Sequence, residues 1–509
     1  MLRTTKLAAL AAAAALSLTA CSSSPEDAGG SGGGASDELR YGAVVDVATW
    51  SAADASWGNT ALYYSAVYDT LLRTAADGTV EPGLAEAWEY DEPRTHLTLD
   101  LRDGVTFTDG TELTAEVAAQ NLERFRDGAS ENRANLSSVT QVEATDEDTV
   151  VITLSQPDPA LLTYLSQNSG LVASPATFDA ADAQATPIGS GPYVLDAAAS
   201  TPGSTYRFTA NEDYWDPEIQ HYDAITINYY ADASALLNAL RDQQVDAANL
   251  NSVTQVPDAE AAGYTVNSHT LNWKGLIIAD RWGVKNEALA DVRVRQAINH
   301  AIDRKGLLQA LEDGYGEPTT QIFGPDTAAY DADLEDAYPY DPERAKALLA
   351  EAGYPDGVTI TMPQTSFVPP AEPELIAGVL AKSNIFVEYE QAGESFIGDL
   401  LGGEWGMFSF GLNQEPLAWM SYVLAVAPDS AWNVYHQSDE TVEALAARMR
   451  LGGEDGDAAA QELNEHLVEQ AWFAPFYRVL GVVVTREGTS LTLKDGQALP
   501  NLWDITPTA

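Results

Sequence analysis

Between residues 291 and 316 (DVRVRQAINHAIDRKGLLQALEDGYG) apolar residues return every three or four positions. Val294, Ala297, Ile298, Ala301 and Ile302 share one face of a helical wheel, while Arg293, Arg295 and Asn299 fall elsewhere on it. Asp291 suits an N-cap, because its carboxylate can accept one of the free backbone N–H groups of a first turn. Asp303 repeats the signal ahead of Leu307, Leu308 and Leu311, and Gly314 supplies a stop. The pattern predicts a buried helix pair in the middle of a large domain.

Elsewhere the pattern alternates between strand and helix. Residues 40–47 read as a mostly buried strand, followed by a loop at 48–59 that carries Trp50 and Trp57. A helical run passes through Tyr63, Tyr64, Val67 and Leu71. Pro82-Gly83 is expected to break the chain before a short helix. Leu97, Leu99 and Leu101 alternate with polar residues as in a half-buried strand. Thr114 caps a helix over 115–125, and strands are expected at 150–154 and around Ile225, Ile227 and Tyr229. Asp341-Pro342 opens a helix that Gly353 ends, since proline costs nothing in a first turn. Strands at 358–362, 385–389 and 407–410, with a helix between the first two, predict an α/β lobe. A helix over 458–472 and a strand at 477–484 bring the chain back.

The first residues differ from all of this. Arg3 and Lys6 precede a 14-residue apolar stretch, too short to cross a bilayer comfortably. It ends in Leu-Thr-Ala-Cys21, which resembles the bacterial lipobox: residues 1–20 read as a signal peptide and Cys21 as the lipidated residue. Cys21 is the only cysteine, so no intrachain disulfide and no cysteine nucleophile are expected. Residues 21–37 then read as a flexible tether, whose glycine- and serine-rich part reaches about 22 Å. The expected location is extracytoplasmic, on the cell membrane.

Twenty-six Lys and Arg against 76 Asp and Glu give a net charge of −50. Phosphate backbones and anionic lipid would be repelled, which excludes nonspecific nucleic-acid binding and electrostatic membrane docking. A cationic ligand and a merely solvated acidic surface both fit this charge.

The wording of several blocks is more specific than their periodicity. DVRVRQAINHAIDR, EPGLAEAW (81–88), LRDGVTFTDG (101–110), PIGSGPY (187–193, with Ser190 where a Thr is usual), NEDYW (211–215) and ALRDQQVD (239–246) occur in order along the chain. Together they resemble the family 5 extracellular solute-binding proteins, the receptors of ABC importers for peptides, nickel and oligosaccharides. The resemblance implies an α/β, two-lobed periplasmic-binding-protein-like fold of type II, with an extra subdomain and a hinge. Expected boundaries are 38–270 for lobe I, including an inserted subdomain at about 61–180, 271–475 for lobe II, and 476–509 for the return to lobe I. It also implies a monomer that works with ABC permease and ATPase subunits and needs no cofactor.

No Gly-x-Ser-x-Gly, His-Glu-x-x-His or Gly-x4-Gly-Lys-Ser/Thr occurs, and the six histidines show no ligand spacing. No catalytic or metal-binding residue is nominated. A binding cleft needs flat apolar side chains and a few polar anchors. Trp50, Trp57, Trp273, Trp405, Trp419 and Trp432 supply the first, and Asn413 and Glu415 the second. In many peptide-binding relatives the stretch matching 406–416 reads Gly-Trp-x-x-Asp-Tyr-x-Asp-Pro, and its first Asp pairs with the peptide's ammonium. Setting Glu415-Pro416 on the final Asp-Pro puts Leu412 at that anchor, and leucine cannot hold an ammonium. The expected ligand is a peptide or peptide-like solute; an oligosaccharide or chelated metal is the alternative. A cell-surface hydrolase and a surface adhesin are the readings from other classes.

Overall fold

The computed structural model describes residues 38–508, except 76–77, 366–367, 394 and 495. The signal-peptide, tether and Cys21 expectations lie outside the described residues.

A nine-stranded sheet runs through the molecule. Its order is Tyr193–Leu195, Thr205–Ala210, Ala224–Tyr229, Glu38–Ala43, Ala247–Asn249, Phe473–Thr485, Thr265–Ile278 and Met407–Asn413, with Glu317–Pro318 also pairing with Phe473–Thr485. The two longest strands, Thr265–Ile278 and Phe473–Thr485, pair antiparallel from Thr265↔Thr485 to Ile277↔Phe473. Their register slips between Thr270 and Asn272 and again between Lys274 and Gly275. Such bulges bend and twist a ladder locally. Ala247–Asn249 pairs with this ladder on one side of the first slip and Met407–Asn413 with Asn272–Ile278 on the other, so the first bulge sits where the chain passes between two lobes.

Three groups of side chains show how the lobes are built. Leu39, Tyr41, Leu62, Tyr63, Ile225 and Val483 pack with Leu499 and Ile505 from the end of the chain. Residues 71–172 have a core of their own, in which Leu97, Leu99, Val150 and Ile152 meet Leu122 and Phe125 of the helix Ala115–Asp127. In the second lobe Val294, Ala297, Ile298, Leu307 and Leu348 pack under Leu276 and Phe476. The helix Ala61–Val67 belongs to the first of these groups, although it was expected in the inserted subdomain.

The central helix pair forms as its caps predict. Asp291 accepts from Arg293 N at 2.9 Å at the head of Val292–Ala301, and Asp303 from Gly306 N at 3.0 Å at the head of Arg304–Leu311. Two polar residues placed off the apolar face, Arg295 and Asn299, are nevertheless buried. Arg295 donates to Gln470 O and Leu289 O, and Asn299 to Phe473 O at 3.0 Å. They stitch the helix to the segment that leads back to the first lobe.

Other expectations need correction. Residues 85–90 form a strand, not a short helix: Ala85–Tyr90 pairs antiparallel with His96–Leu101. Alanine and glutamate favour a helix, but a partner strand with matching alternation overrides so weak a preference. The helix expected at 458–472 is Gly453–Glu469, and Leu71 lies beyond the end of its expected helix. Val358–Gln364 and Ile385–Gln391 pair parallel with each other, whereas Met407–Asn413 joins the large sheet.

Candidate ligand cleft

A cleft of about 550 Å³ lies beside the first register slip, at Leu271 and Asn272. Its walls come from distant parts of the chain: the turn at 56–60, residues 131–135 and 164–167 of the inserted subdomain, Leu271 and Asn272 at the hinge, residues 413–424 of the second lobe, and Gly496 and Ala498 of the return segment.

Strand parity decides what faces it. Asn272 pairs with Asn413 and Trp273 with Leu412. Successive side chains of a strand point to opposite faces. Asn272 and Asn413 therefore face the cleft, while Trp273 and Leu412 are buried in the core behind it, 2% and 4% exposed. Beyond the strand, Gln414 N donates to Leu271 O at 2.9 Å, and the buried Gln414 amide donates to Ile322 O at 2.8 Å. Those two bonds turn Glu415 toward the cleft. Gly496 closes the wall beside it, with φ +75; a Cβ there would stand 2.4 Å from Gln414 O, so only glycine fits.

Burial pushes the Glu415 carboxyl above its ordinary value, and a hydrogen bond from the Asn413 side chain opposes the shift. Tyr164, from the short helix Leu161–Leu165 of the subdomain, is pushed up by burial, with the charges of Asp158 and Glu415 adding to it. Glu415 and Tyr164 thus face the cleft from opposite lobes. Met420, Val423 and Leu424 of the helix Ala418–Ala425 form an apolar wall, and Trp57 lines the cleft half-buried on the other side.

Of the eight nominated residues, Trp57, Asn413 and Glu415 meet here, and the other five do not. Trp50 is a core residue, edge-on to Tyr63, Tyr64, Tyr206 and Phe208. Trp273 packs edge-on against Phe473. Trp405 leans on Phe396 and donates to Glu390 Oε2 at 3.1 Å. Trp432 lies 4.4 Å from Phe410 on the second lobe's core. Trp419 stacks on Tyr422 under the Arg450 guanidinium and lines a neighbouring gap of about 360 Å³ with Asp158. Large aromatics bury more surface than most side chains, and in this chain that draws most of them inward. The amides Asn132, Asn135, Gln167 and Asn272 were missed. Asn272 carried one signal: it is the neighbour of a strand tryptophan and so faces the other way.

Residues 79–433 match the family described as bacterial extracellular solute-binding proteins, family 5 Middle. The chain belongs to that family. It is 32% identical over 286 residues to the glutathione-binding protein GsiB of Escherichia coli (strain K12), a match covering 55% of this chain and 54% of the relative. The chain thus matches about half the length of that curated relative. Among solved structures, HbpA2 from Haemophilus parasuis superposes with a TM-score of 0.81 at 22% identity, covering 93% of this chain and all of that one. DppA from Helicobacter pylori in complex with the peptide STSA gives a TM-score of 0.74 at 21% identity, covering 93% of this chain and 98% of that one. These likenesses carry the fold: a family 5, two-lobed α/β binding protein. No group of three or more His, Cys, Asp or Glu that could hold a metal ion occurs among the described residues.

Proposed function

We propose that this protein is the receptor of an ABC importer, which captures a peptide or peptide-like solute between its lobes and delivers it unchanged to a membrane permease. One observation carries the reading: a cleft of about 550 Å³, in the range of small-solute sites, opens where two long strands cross between lobes. A solute touching both Trp57 and Asn413 gains contacts only when the lobes are together, so it favours the closed arrangement. The permease can then tell loaded from empty receptor. No helix among the described residues is long and apolar enough to cross a membrane. In this reading Cys21 and its lipid hold the folded part beside the permease, outside the cytoplasm, and the receptor works as a monomer.

The amide-rich wall also favours a second reading, a polyhydroxylated solute stacked on Trp57. Mass spectrometry of the solute released from purified protein, paired with a turnover assay on that solute, tests both. The expected result is an intact peptide-like molecule that emerges unaltered. A sugar would move the assignment to the second reading, and a product formed by the protein would overturn the receptor reading.

A further inference from the structure

The lining of the cleft is one-sided in charge. Among the described residues, the ionisable ones that line it are Glu415, Glu131 and Tyr164, and no lysine, arginine or histidine does. The two lysines nearest to it along the chain are already committed. Lys274, two residues beyond Asn272, pairs with Glu372 at 3.0 Å, and Lys494, two before Gly496, pairs with Asp504 at 3.2 Å. Glu415 is offered only the Asn413 side chain, and burial pushes its carboxyl up with no cation to pull it back. Asn272 adds a second vacancy: its Oδ1 is buried and accepts no hydrogen bond. A chargeable carboxyl with one amide donor therefore faces a solute-sized space, and an unsatisfied amide oxygen is buried in the wall beside it. A half-buried carboxylate in that position is stabilised by an incoming cationic donor.

We infer that the cleft selects solutes bearing a positive charge, an ammonium or guanidinium group that donates to Glu415 with the Asn272 carbonyl as its neighbour. This rests on the receptor reading and narrows it. It also separates this chain from the ligand in its relative's name. Glutathione carries more carboxylate than ammonium groups, and a cleft whose charges are all carboxylates repels the excess.

The test is calorimetric titration of the purified, solute-stripped protein at fixed salt with Ala-Lys-Ala, Ala-Ala-Ala and Ala-Glu-Ala, each N-acetylated so that only the lysine side chain carries a cation, and with glutathione. Ala-Lys-Ala is expected to bind tightest, with Ala-Glu-Ala and glutathione at least about tenfold weaker, the worth of one charged hydrogen bond. Glu415→Gln should cost Ala-Lys-Ala about tenfold to a hundredfold and reduce the spread across the panel. Glu131→Gln, at an exposed site, should cost less. Circular dichroism of each variant confirms folding. If Ala-Glu-Ala or glutathione binds as tightly as Ala-Lys-Ala, or if Glu415→Gln weakens every probe equally, the charge inference fails while the receptor reading stands. If no probe binds and no solute is released from the unstripped protein, both fall.

Discussion

Arg304 and Glu415 are both charged side chains drawn out of water with no ion-pair partner, yet the structure treats them oppositely. Arg304 is buried at the foot of the second central helix, and burial pulls its guanidinium down to about 10. It is encircled by acceptors. Nε donates to Thr319 O and Pro475 O, Nη1 to Asn299 O and Tyr338 O, and Nη2 to Asn299 Oδ1, all within 3.2 Å. Four of its five hydrogens are used, and three segments of chain are tied together as a result. Glu415 has one amide and a cavity. A charge whose bonding capacity is filled by its own chain is architecture. One whose capacity opens onto the cleft is where we propose a solute is held.

The sharpest way to break this contrast is to remove both charges. Arg304→Met should cost about 3 kcal/mol or more of stability, because several buried carbonyls lose their donor at once. Glu415→Gln should leave stability unchanged or raise it, since it removes a charge the fold does not compensate. Urea unfolding of the two variants decides, and equal losses would erase the distinction. Next in size, Gly496→Ala should cost about 2 kcal/mol through its left-handed backbone and its approach to Gln414 O, and should weaken solute binding by shifting the Glu415 wall. Unfolding and titration on one sample read both effects. Trp57→Ala should weaken binding by about 1–2 kcal/mol, with little change in melting temperature because the ring is half-buried. A large drop in melting temperature would make Trp57 a core residue like Trp50.

The smallest effect is the pH dependence of Glu415, which Tyr164 and Glu131 face across the cleft. Its carboxyl is raised in the folded state, so its protonated form favours folding. That contribution is complete below the unfolded value and is lost as pH rises through the folded one. The stability of the native protein, less that of Glu415→Gln, should therefore fall as pH climbs out of the ordinary carboxylate range. Binding of Ala-Lys-Ala, which needs the ionised form, should grow over the same interval. Unfolding and titration series across pH check both slopes, and parallel curves for protein and variant would show that Glu415 does not titrate in this window.

Local signals were read well. The caps at Asp291, Asp303 and Asp341 work through atoms two or three residues away, so the helices they open could be placed from short windows. The strand Ala85–Tyr90 was misread because its decisive partner, His96–Leu101, acts across the sheet and outweighs local preference. The cleft was the hardest to see. Glu415 and Asn413 were nominated from a motif-like stretch, but Tyr164 lies about 250 residues away from them and Gly496 about 80, and no window holds all four. Choosing tryptophans favoured the residues that pack best, and along Thr265–Ile278 it picked Trp273, one position away from the residue that lines the cleft.

What the sequence determined by itself is the set of elements, their order, and the family to which the chain belongs. Helix caps, strand alternation and ordered blocks are properties of neighbouring residues, and they survive without knowledge of the fold. The tertiary structure alone decided which side of each strand meets the cleft, which charges are sealed inside and which are left open to the cleft. Those outcomes depend on long-range pairing at the hinge: one residue of register turns Asn272 from wall to core.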